Sequence, residues 1–171
     1  MLEKWRCALL SLGASVSDGV VEPHRNRNRG HQQLRVWQEA IAFYKLSCEA
    51  FAGFPFALGK VASQNIASAD SVHRNIAEGY CRRSIKEYLQ HLYIALGSLG
   101  ESVSGVMACH GAGQISKETF DVLDNAAFKL ENGLLRLVES LERKRESGSW
   151  VDSLIVRESN SLYAPSDPEQ S

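Results

Sequence analysis

Apolar residues recur every three or four positions in four long segments of this chain, which is the spacing of one face of an α-helix. The first predicted helix begins near Leu34, and Gly53 and Pro55 are expected to end it. Its predicted core-facing residues are Leu34, Trp37, Ile41, Tyr44, Cys48 and Phe51. A second apolar line on the same helix consists of Val36, Phe43 and Ala50.

The second segment, from about Gly59 to Ala77, carries small and polar residues on the side predicted to face inward. These residues are Val61, Asn65, Ser68, Val72 and Ile76. Small side chains permit two helices to approach closely, and a buried Asn65 then needs a hydrogen-bond partner. Gly79 is predicted to lie just past the helix end, where a left-handed backbone is common.

Capping signals mark the starts of the third and fourth helices. Ser84 and Glu87 have the spacing of a capping box, and Ser116 with Glu118 predicts the start of the fourth helix. The third helix is expected to turn inward Ile85, Leu89, Leu92, Leu96, Leu99, Val103 and Val106. The fourth is expected to turn inward Phe120, Leu123, Ala127, Leu130, Leu134, Leu137 and Leu141.

Four such helices with short connections predict an all-α fold, an antiparallel up-and-down four-helix bundle over residues 34–145. Residues 1–33 are predicted to be a disordered extension, and 146–171 an acidic, Ser- and Pro-containing disordered tail with a short apolar patch at 151–156. The fourth helix has a second apolar line: Phe128, Leu135 and Val138. This line and its counterpart on the first helix favour subunit contacts, although a wide core-facing stripe is an open alternative.

Composition narrows the class of protein only slightly. The chain has 19 basic and 20 acidic side chains, and residues 146–171 hold one basic and five acidic ones, so the predicted bundle is weakly basic. This charge is too small to indicate a nucleic-acid binder, which usually shows a clearly positive face, although a local basic patch is compatible with these numbers. Four cysteines without a C-x-x-C pair predict reduced thiols in a cytoplasmic protein, and no apolar run is long enough for a membrane span.

No residue spacing typical of an enzyme or a metal centre occurs, so we expect a non-enzymatic protein without cofactor or metal. The Glu-x-x-His motif of di-iron bundles is absent. Glu87 and His91 lie four residues apart, which more often indicates an ion pair than a pair of ligands. Cys109 and His110 are adjacent and point apart on a helix, and His73 is a lone imidazole that we expect to be partly exposed.

The corner between the second and third helices is the stretch whose pattern suggests more than packing. Because arginine and lysine bind phosphate and an aromatic ring can stack on a base, the candidate nucleic-acid-binding residues are Arg74, Tyr80, Arg82, Arg83 and Lys86. A structural interpretation is open beside this one. In it, Glu78 pairs with Arg82 or caps the third helix, Asn75 bonds the backbone of the turn, and Tyr80 packs with its hydroxyl in water. The structural motif then consists of Asn75, Glu78, Gly79, Ser84 and Glu87.

Several segments resemble the four-helix bundle proteins encoded in intervening sequences of large-subunit (23S) ribosomal RNA: Asn75–Tyr80, Arg82, Ser84, Leu92–Leu99 and Leu34–Ala40. The resemblance covers residues 34–145 and implies a bundle that assembles as a homopentamer. It also implies kinship with accessory proteins of diversity-generating retroelements, which bind a reverse transcriptase and nucleic acid. We therefore expect an oligomeric scaffold that binds RNA or a nucleic-acid enzyme such as a reverse transcriptase. The alternative is a protein-interaction scaffold with no nucleic-acid role.

Three positions depart from the pattern of that family. Asp70 brings a negative charge where arginines tend to precede the motif, His73 stands where a proline often sits, and Cys81 replaces a usual glycine. These departures weaken the expectation of RNA binding more than they weaken the expected fold.

Overall fold

The computed structural model describes residues 27–82 and 84–150. Within these ranges there are four α-helices and no strand: α1 Arg35–Phe51, α2 Gly59–Tyr80, α3 Ile85–Gly111 and α4 Lys117–Glu146. Helix α1 packs against α2 and α4, and α3 packs against the same two helices from the other side. The predicted all-α four-helix bundle is therefore confirmed.

Two short 3-10 helices, Arg27–Gln33 and Phe56–Leu58, precede α1 and α2. The first of these lies in the stretch predicted to be a disordered extension, and it packs against α1 and α2. The rest of that extension, and the tail after Trp150, lie outside the described residues. The N-terminal 3-10 helix therefore belongs to the bundle.

The face of α1 that enters the core differs from the prediction. Val36 and Phe43, assigned to the outer line, are buried at 7% and 0% exposure, whereas Trp37 and Tyr44 are half-buried. The rings of Trp37 and Tyr44 make edge contacts with His73 of α2, at centroid distances of 6.5 and 5.5 Å. The spacing identified both stripes, but spacing alone does not tell which of two adjacent stripes faces the bundle axis.

Helices α2 and α3 approach each other closely along a surface that we call the α2–α3 seam. A Cβ atom on Gly79 would lie 2.8 Å from the Cβ of His91 and 2.9 Å from the ring of Tyr88. A Cβ atom on Gly105 would overlap the side-chain amide of Asn65. The glycines therefore permit a separation that no larger residue would allow without movement.

The prediction that Gly79 lies past the helix end with a left-handed backbone is wrong. Helix α2 continues to Tyr80, and the chain leaves it through Cys81 with right-handed helical dihedrals. Among the described residues, a positive φ occurs only at Gly113 and Gly148, at 70° and 62°. Gly79 is thus placed for close packing rather than for backbone freedom.

Both predicted N-caps are present. The hydroxyl of Ser84 accepts the amide of Glu87 at 3.2 Å, and the amide of Ser84 donates to the Glu87 carboxylate at 3.3 Å, which completes the capping box. The hydroxyl of Ser116 accepts the amide of Thr119 at 3.2 Å. Helices α3 and α4 both end in Schellman turns at the two left-handed glycines.

The second apolar line of α4 is divided between surface and core. Phe128 and Leu135 are 67% and 44% exposed, whereas Val138 is buried at 5%. The assignment of Val138 to an outer line is therefore wrong, because this residue lies close enough to the main leucine stripe to share its burial. Phe128 and Leu135 are left as the exposed pair of that line.

Helix α3 is apolar on more than its buried face. It contains an 18-residue window of mean hydropathy 1.3, of which 33% is buried inside the bundle. This length and composition are sufficient for a membrane span, and core helices of soluble proteins have them too. Large apolar residues exposed on α3 are Tyr93, Ile94 and Met107.

Candidate nucleic-acid interface

Basic side chains gather at one end of the bundle, where α1 and α3 begin and α2 and α4 end. We call this region the basic end. Its exposed basic residues are Arg29, Arg35, Arg82, Lys86, Arg143, Lys144 and Arg145. The candidate residue Arg83 lies outside the described residues, and Arg74 lies further down α2 with its side chain 71% exposed.

The two ends of the bundle differ in charge. The helix ends that form the basic end also carry Glu39, Glu78, Glu87, Glu142 and Glu146, which are fewer than the seven basic side chains there. The opposite end carries Glu49, Glu118 and Asp121 against Lys60 and Lys117. An anionic partner is therefore attracted more strongly to the basic end than to the opposite end.

Two of the predicted arginines are paired with carboxylates of α2. Arg82 forms an ion pair with Glu78, as the structural interpretation expected. Arg74 lies 2.5 Å from Asp70, and Asp70 also lies 3.0 Å from the Nε2 atom of His73. The acidic residue that departs from the family pattern is therefore neutralised locally, and both arginines are paired with carboxylates of α2.

Lys86 contrasts with the two arginines. It is exposed in the first turn of α3, and no ion pair to it is found within the described part of the chain. It lines a groove together with Arg145 from the last turn of α4. Of the predicted binding residues that the structure describes, Lys86 is the one most open to a phosphate.

Tyr80 is not an open platform for a base. Its side chain is half-buried, and its ring makes edge contacts with His31 and Tyr88 at centroid distances of 6.1 and 6.2 Å. Gly30 of the N-terminal 3-10 helix packs so closely on the hydroxyl of Tyr80 that a Cβ atom there would overlap it. Stacking of a base on Tyr80 would require this short helix to move.

Asn75 joins the two helices instead of bonding the backbone of the turn. Its amide nitrogen donates to the Ser71 carbonyl at 2.9 Å, and its Oδ1 atom lies 3.2 Å from Nδ1 of His91. The other ring nitrogen of His91 lies 3.7 Å from the Glu78 carboxylate. The expected pairing of His91 with Glu87 is therefore replaced by contacts across the seam.

The titratable groups around the corner are tuned by structural contacts. The hydroxyl and amide of Ser84 hold the pKa of Glu87 below its usual range. Burial raises the pKa of Tyr88, and the neighbouring Tyr80 adds to this effect. Burial also raises the pKa of the Cys109 thiol, which keeps it in its less reactive protonated form.

Within residues 27–82 and 84–150, no group of three His, Cys, Asp or Glu side chains is placed to hold a metal ion. The adjacent pair Cys109 and His110 is separated as expected. Cys109 is buried, and the ring of His110 stacks on Phe120 at a centroid distance of 4.5 Å.

Two features of this surface were missed by the sequence analysis. One is the contribution of Arg143, Lys144 and Arg145, which α4 brings to the basic end because the helices are antiparallel. The run of three basic residues was the available signal, and it is also favourable for a helix C-terminus. The other is the contact of Gly30, in the N-terminal 3-10 helix, with Tyr80, for which the sequence offered no signal.

A comparison with known protein families confirms the family resemblance of the sequence. The family described as 23S rRNA-intervening sequence protein matches residues 32–136, which include α1, α2, α3 and most of α4. No curated protein sequence matches the chain.

Proposed function

We propose, from the premise that this chain belongs to the 23S rRNA-intervening sequence protein family, that it is a non-enzymatic scaffold that binds structured RNA through the basic end. The observation that carries the proposal is the gathering of exposed Lys and Arg side chains at that end, from α1, α3, α4, the N-terminal 3-10 helix and the connection between α2 and α3. Lys86 and Arg145 line one groove, and Arg82 precedes Lys86 by four residues in the chain. Contacts of this kind recognise phosphate without reading sequence.

The scaffold is proposed to act as a homo-oligomer in the cytoplasm. Phe128 and Leu135, exposed on α4 one heptad apart, support the oligomer because a helix face of this kind is commonly covered by another subunit. A sedimentation measurement on the full chain tests this part, and the mass of a single subunit would refute it. Assembly as a pentamer is the expectation that the family resemblance supplies.

The test of RNA binding is a titration of the full chain with a structured RNA at several salt concentrations. We expect affinity to fall steeply as salt rises, since a phosphate-binding protein releases condensed counterions. The double substitution Arg82→Gln with Lys86→Gln should weaken binding and reduce the salt slope by about 1 to 2, close to one unit per lost phosphate contact.

The matched control is Lys60→Gln with Lys117→Gln, which removes the same charge from the opposite end of the bundle. Its affinity for RNA should stay close to that of the parent chain. Equal losses in both double variants would show a non-specific charge effect and contradict the assignment to the basic end. Binding that is absent at low salt would instead favour the alternative, a protein-interaction scaffold without a nucleic-acid role. A pull-down with a reverse transcriptase would examine the other partner class that we propose.

A further inference from the structure

A groove runs between the first turns of α3 and the last turn of α4. Its volume is about 490 Å³, and its walls include Lys86, Tyr93, Ile94 and Arg145. Its floor contains Leu89, which is 1% exposed, while Tyr93 and Ile94 are 48% and 44% exposed. The groove therefore has the cations Lys86 and Arg145 at the basic end and the apolar surface of Tyr93 and Ile94 further along α3, with the polar Gln90 between Lys86 and Ile94.

The walls of the groove are firmly held. The hydroxyl of Tyr93 donates to the carboxylate of Glu142, so one wall bridges α3 and α4. Leu89 belongs to the packed core of the bundle. A ligand would therefore find a preformed groove, and the exposed apolar area of Tyr93 and Ile94 is available to it.

The chain leaves its described part close to this groove. After α4 ends, Trp150 turns back and packs against the hydrophobic core, with the ammonium of Lys144 5.9 Å from its ring centroid. Lys144 is the neighbour of the groove residue Arg145. The six residues that follow Trp150 are Val151, Asp152, Ser153, Leu154, Ile155 and Val156.

We propose that the segment 151–156 of the same chain docks in this groove. Its apolar side chains match the exposed surface of Tyr93 and Ile94, and Asp152 matches the cations Lys86 and Arg145. Residues 146–171 carry one basic and five acidic side chains, so the whole tail is drawn toward the basic end. These six residues interrupt a tail that its composition otherwise predicts to be disordered.

The geometry permits this contact within one molecule. Six extended residues span about 20 Å, whereas the stretch of α3 from Lys86 to Ile94 is about 12 Å long. A short tether also gives the segment an effective concentration of about a millimolar or more at the groove. A two-fold contact between two copies of the groove would instead pair a lining that has two cations and no carboxylate with an identical lining, so the cations would gain no opposite charge.

The consequence is a competition for the basic end. The docked acidic segment covers Lys86 and Arg145, which are among the cations that we propose for RNA. Docking itself does not depend on RNA binding, so the first measurement contains no RNA. The competition rests on the proposed function and is measured separately.

The test follows the side-chain methyl resonance of Ile94 in the full chain, assigned with Ile94→Val. Substitution of the segment by Leu154→Asp with Ile155→Asp should shift this resonance, because two consecutive residues cover both faces of an extended segment. The resonance of Ile115, which is buried at the opposite end of the bundle, should stay in place. Ser159→Asp with Ser161→Asp adds the same charge outside the segment and should leave Ile94 unchanged.

An Ile94 resonance that does not respond to the segment substitution would overturn the proposal. So would a shift in the labelled segment variant on mixing with unlabelled parent protein, since the segment would then come from a second copy. In the RNA titration, the segment variant should bind at least several-fold more tightly than the parent chain. Unchanged RNA affinity together with a shifted Ile94 would keep the docking and remove the competition.

Discussion

Helices α2 and α4 flank α3 on opposite sides, and they pack by opposite means. Helix α4 contributes large side chains, among them Leu123, Leu130, Leu134 and Leu141, all at most 4% exposed. The buried face of α2 includes small and polar residues: Ala62, Asn65, Ser68, Ala69 and Gly79. On the facing side of α3, Gly105 packs against Asn65. The contact of α3 with α4 is thus stabilised by the burial of large side chains, and the α2–α3 seam by the close approach of the two helices. Shortening a buried side chain should therefore destabilise the α4 side, and enlarging a glycine should destabilise the seam.

The largest effect should follow from truncation on the α4 side. Leu134→Ala removes a fully buried side chain, and we expect the free energy of unfolding to fall by about 3 kcal/mol. The next residue provides the control, since Leu135 is 44% exposed and Leu135→Ala should cost less than about 1 kcal/mol. Urea unfolding of both variants, at equal protein concentration, measures the difference.

An equal loss of stability in Leu134→Ala and Leu135→Ala would contradict the difference in burial between these two residues within a single subunit. If the cost at Leu135 disappears on dilution, the residue is covered by another subunit, and the comparison then measures the oligomer interface.

Enlargement on the seam should give the next effect. A methyl group on Gly79 would contact the backbone oxygen of Tyr88 and the Cβ of His91, neither of which can turn aside, and overpacking of this kind costs about 1 to 3 kcal/mol. Gly97 lies in the exposed part of α3 with nothing near its added Cβ, so Gly97→Ala should stabilise the protein by about 0.5 to 1 kcal/mol. Thermal unfolding should therefore shift in opposite directions for the two substitutions, and a stabilising Gly79→Ala would refute the close approach.

This contrast explains which parts of the fold the sequence could predict. On α4 the predicted stripe from Leu123 to Leu141 is buried except at Leu137, which is partly buried, because large apolar residues at helical spacing are the signal that periodicity detects. On α2 the same approach placed Val61 inward, although Val61 is 40% exposed and its neighbour Ala62 is buried. Ala, Ser and Gly bury little area and produce little periodic signal, so a seam made of them is hard to find.

The energetic coupling between Asn65 and Gly105 tests the packing of the seam where a polar side chain is buried in it. Asn65 is 5% exposed, and its Oδ1 atom has no hydrogen-bond partner within the described ranges. Gly105→Ala alone should cost about 1 kcal/mol, because the added methyl group overlaps the Asn65 amide. In an Asn65→Ala background the same change should become neutral or favourable, which corresponds to a coupling energy of about 1 kcal/mol. Additive effects in chemical unfolding would show that the two residues do not compete for space.

The candidate interface was predicted less completely than the fold. Arg82 and Lys86 were found because they follow a recognisable helix corner in the sequence. The contribution of Arg143 to the same end depends on which helix ends meet, and that is a property of the assembled bundle. The cover of Gly30 over Tyr80 depends on a short 3-10 helix, and a polar stretch of seven residues carries no periodicity from which to infer it.

The smallest effect should come from the capping box of Ser84 and Glu87 at the start of α3. Ser84 holds the pKa of Glu87 below its usual range, so the ionised carboxylate stabilises the folded state. This contribution is complete above the pKa of Glu87 in the unfolded chain, about 4.3, and it is lost as the pH falls through the lower pKa of the folded state. Glu87→Gln keeps an acceptor for the amide of Ser84 but removes the charge. Stability should therefore decrease slightly at neutral pH, and the variant and the parent chain should converge as the pH falls below about 4.

Glu131→Gln, on the exposed side of α4, serves as the control in pH-dependent unfolding. A parent chain whose advantage over Glu87→Gln persists at low pH would show that the capping box acts through shape rather than charge.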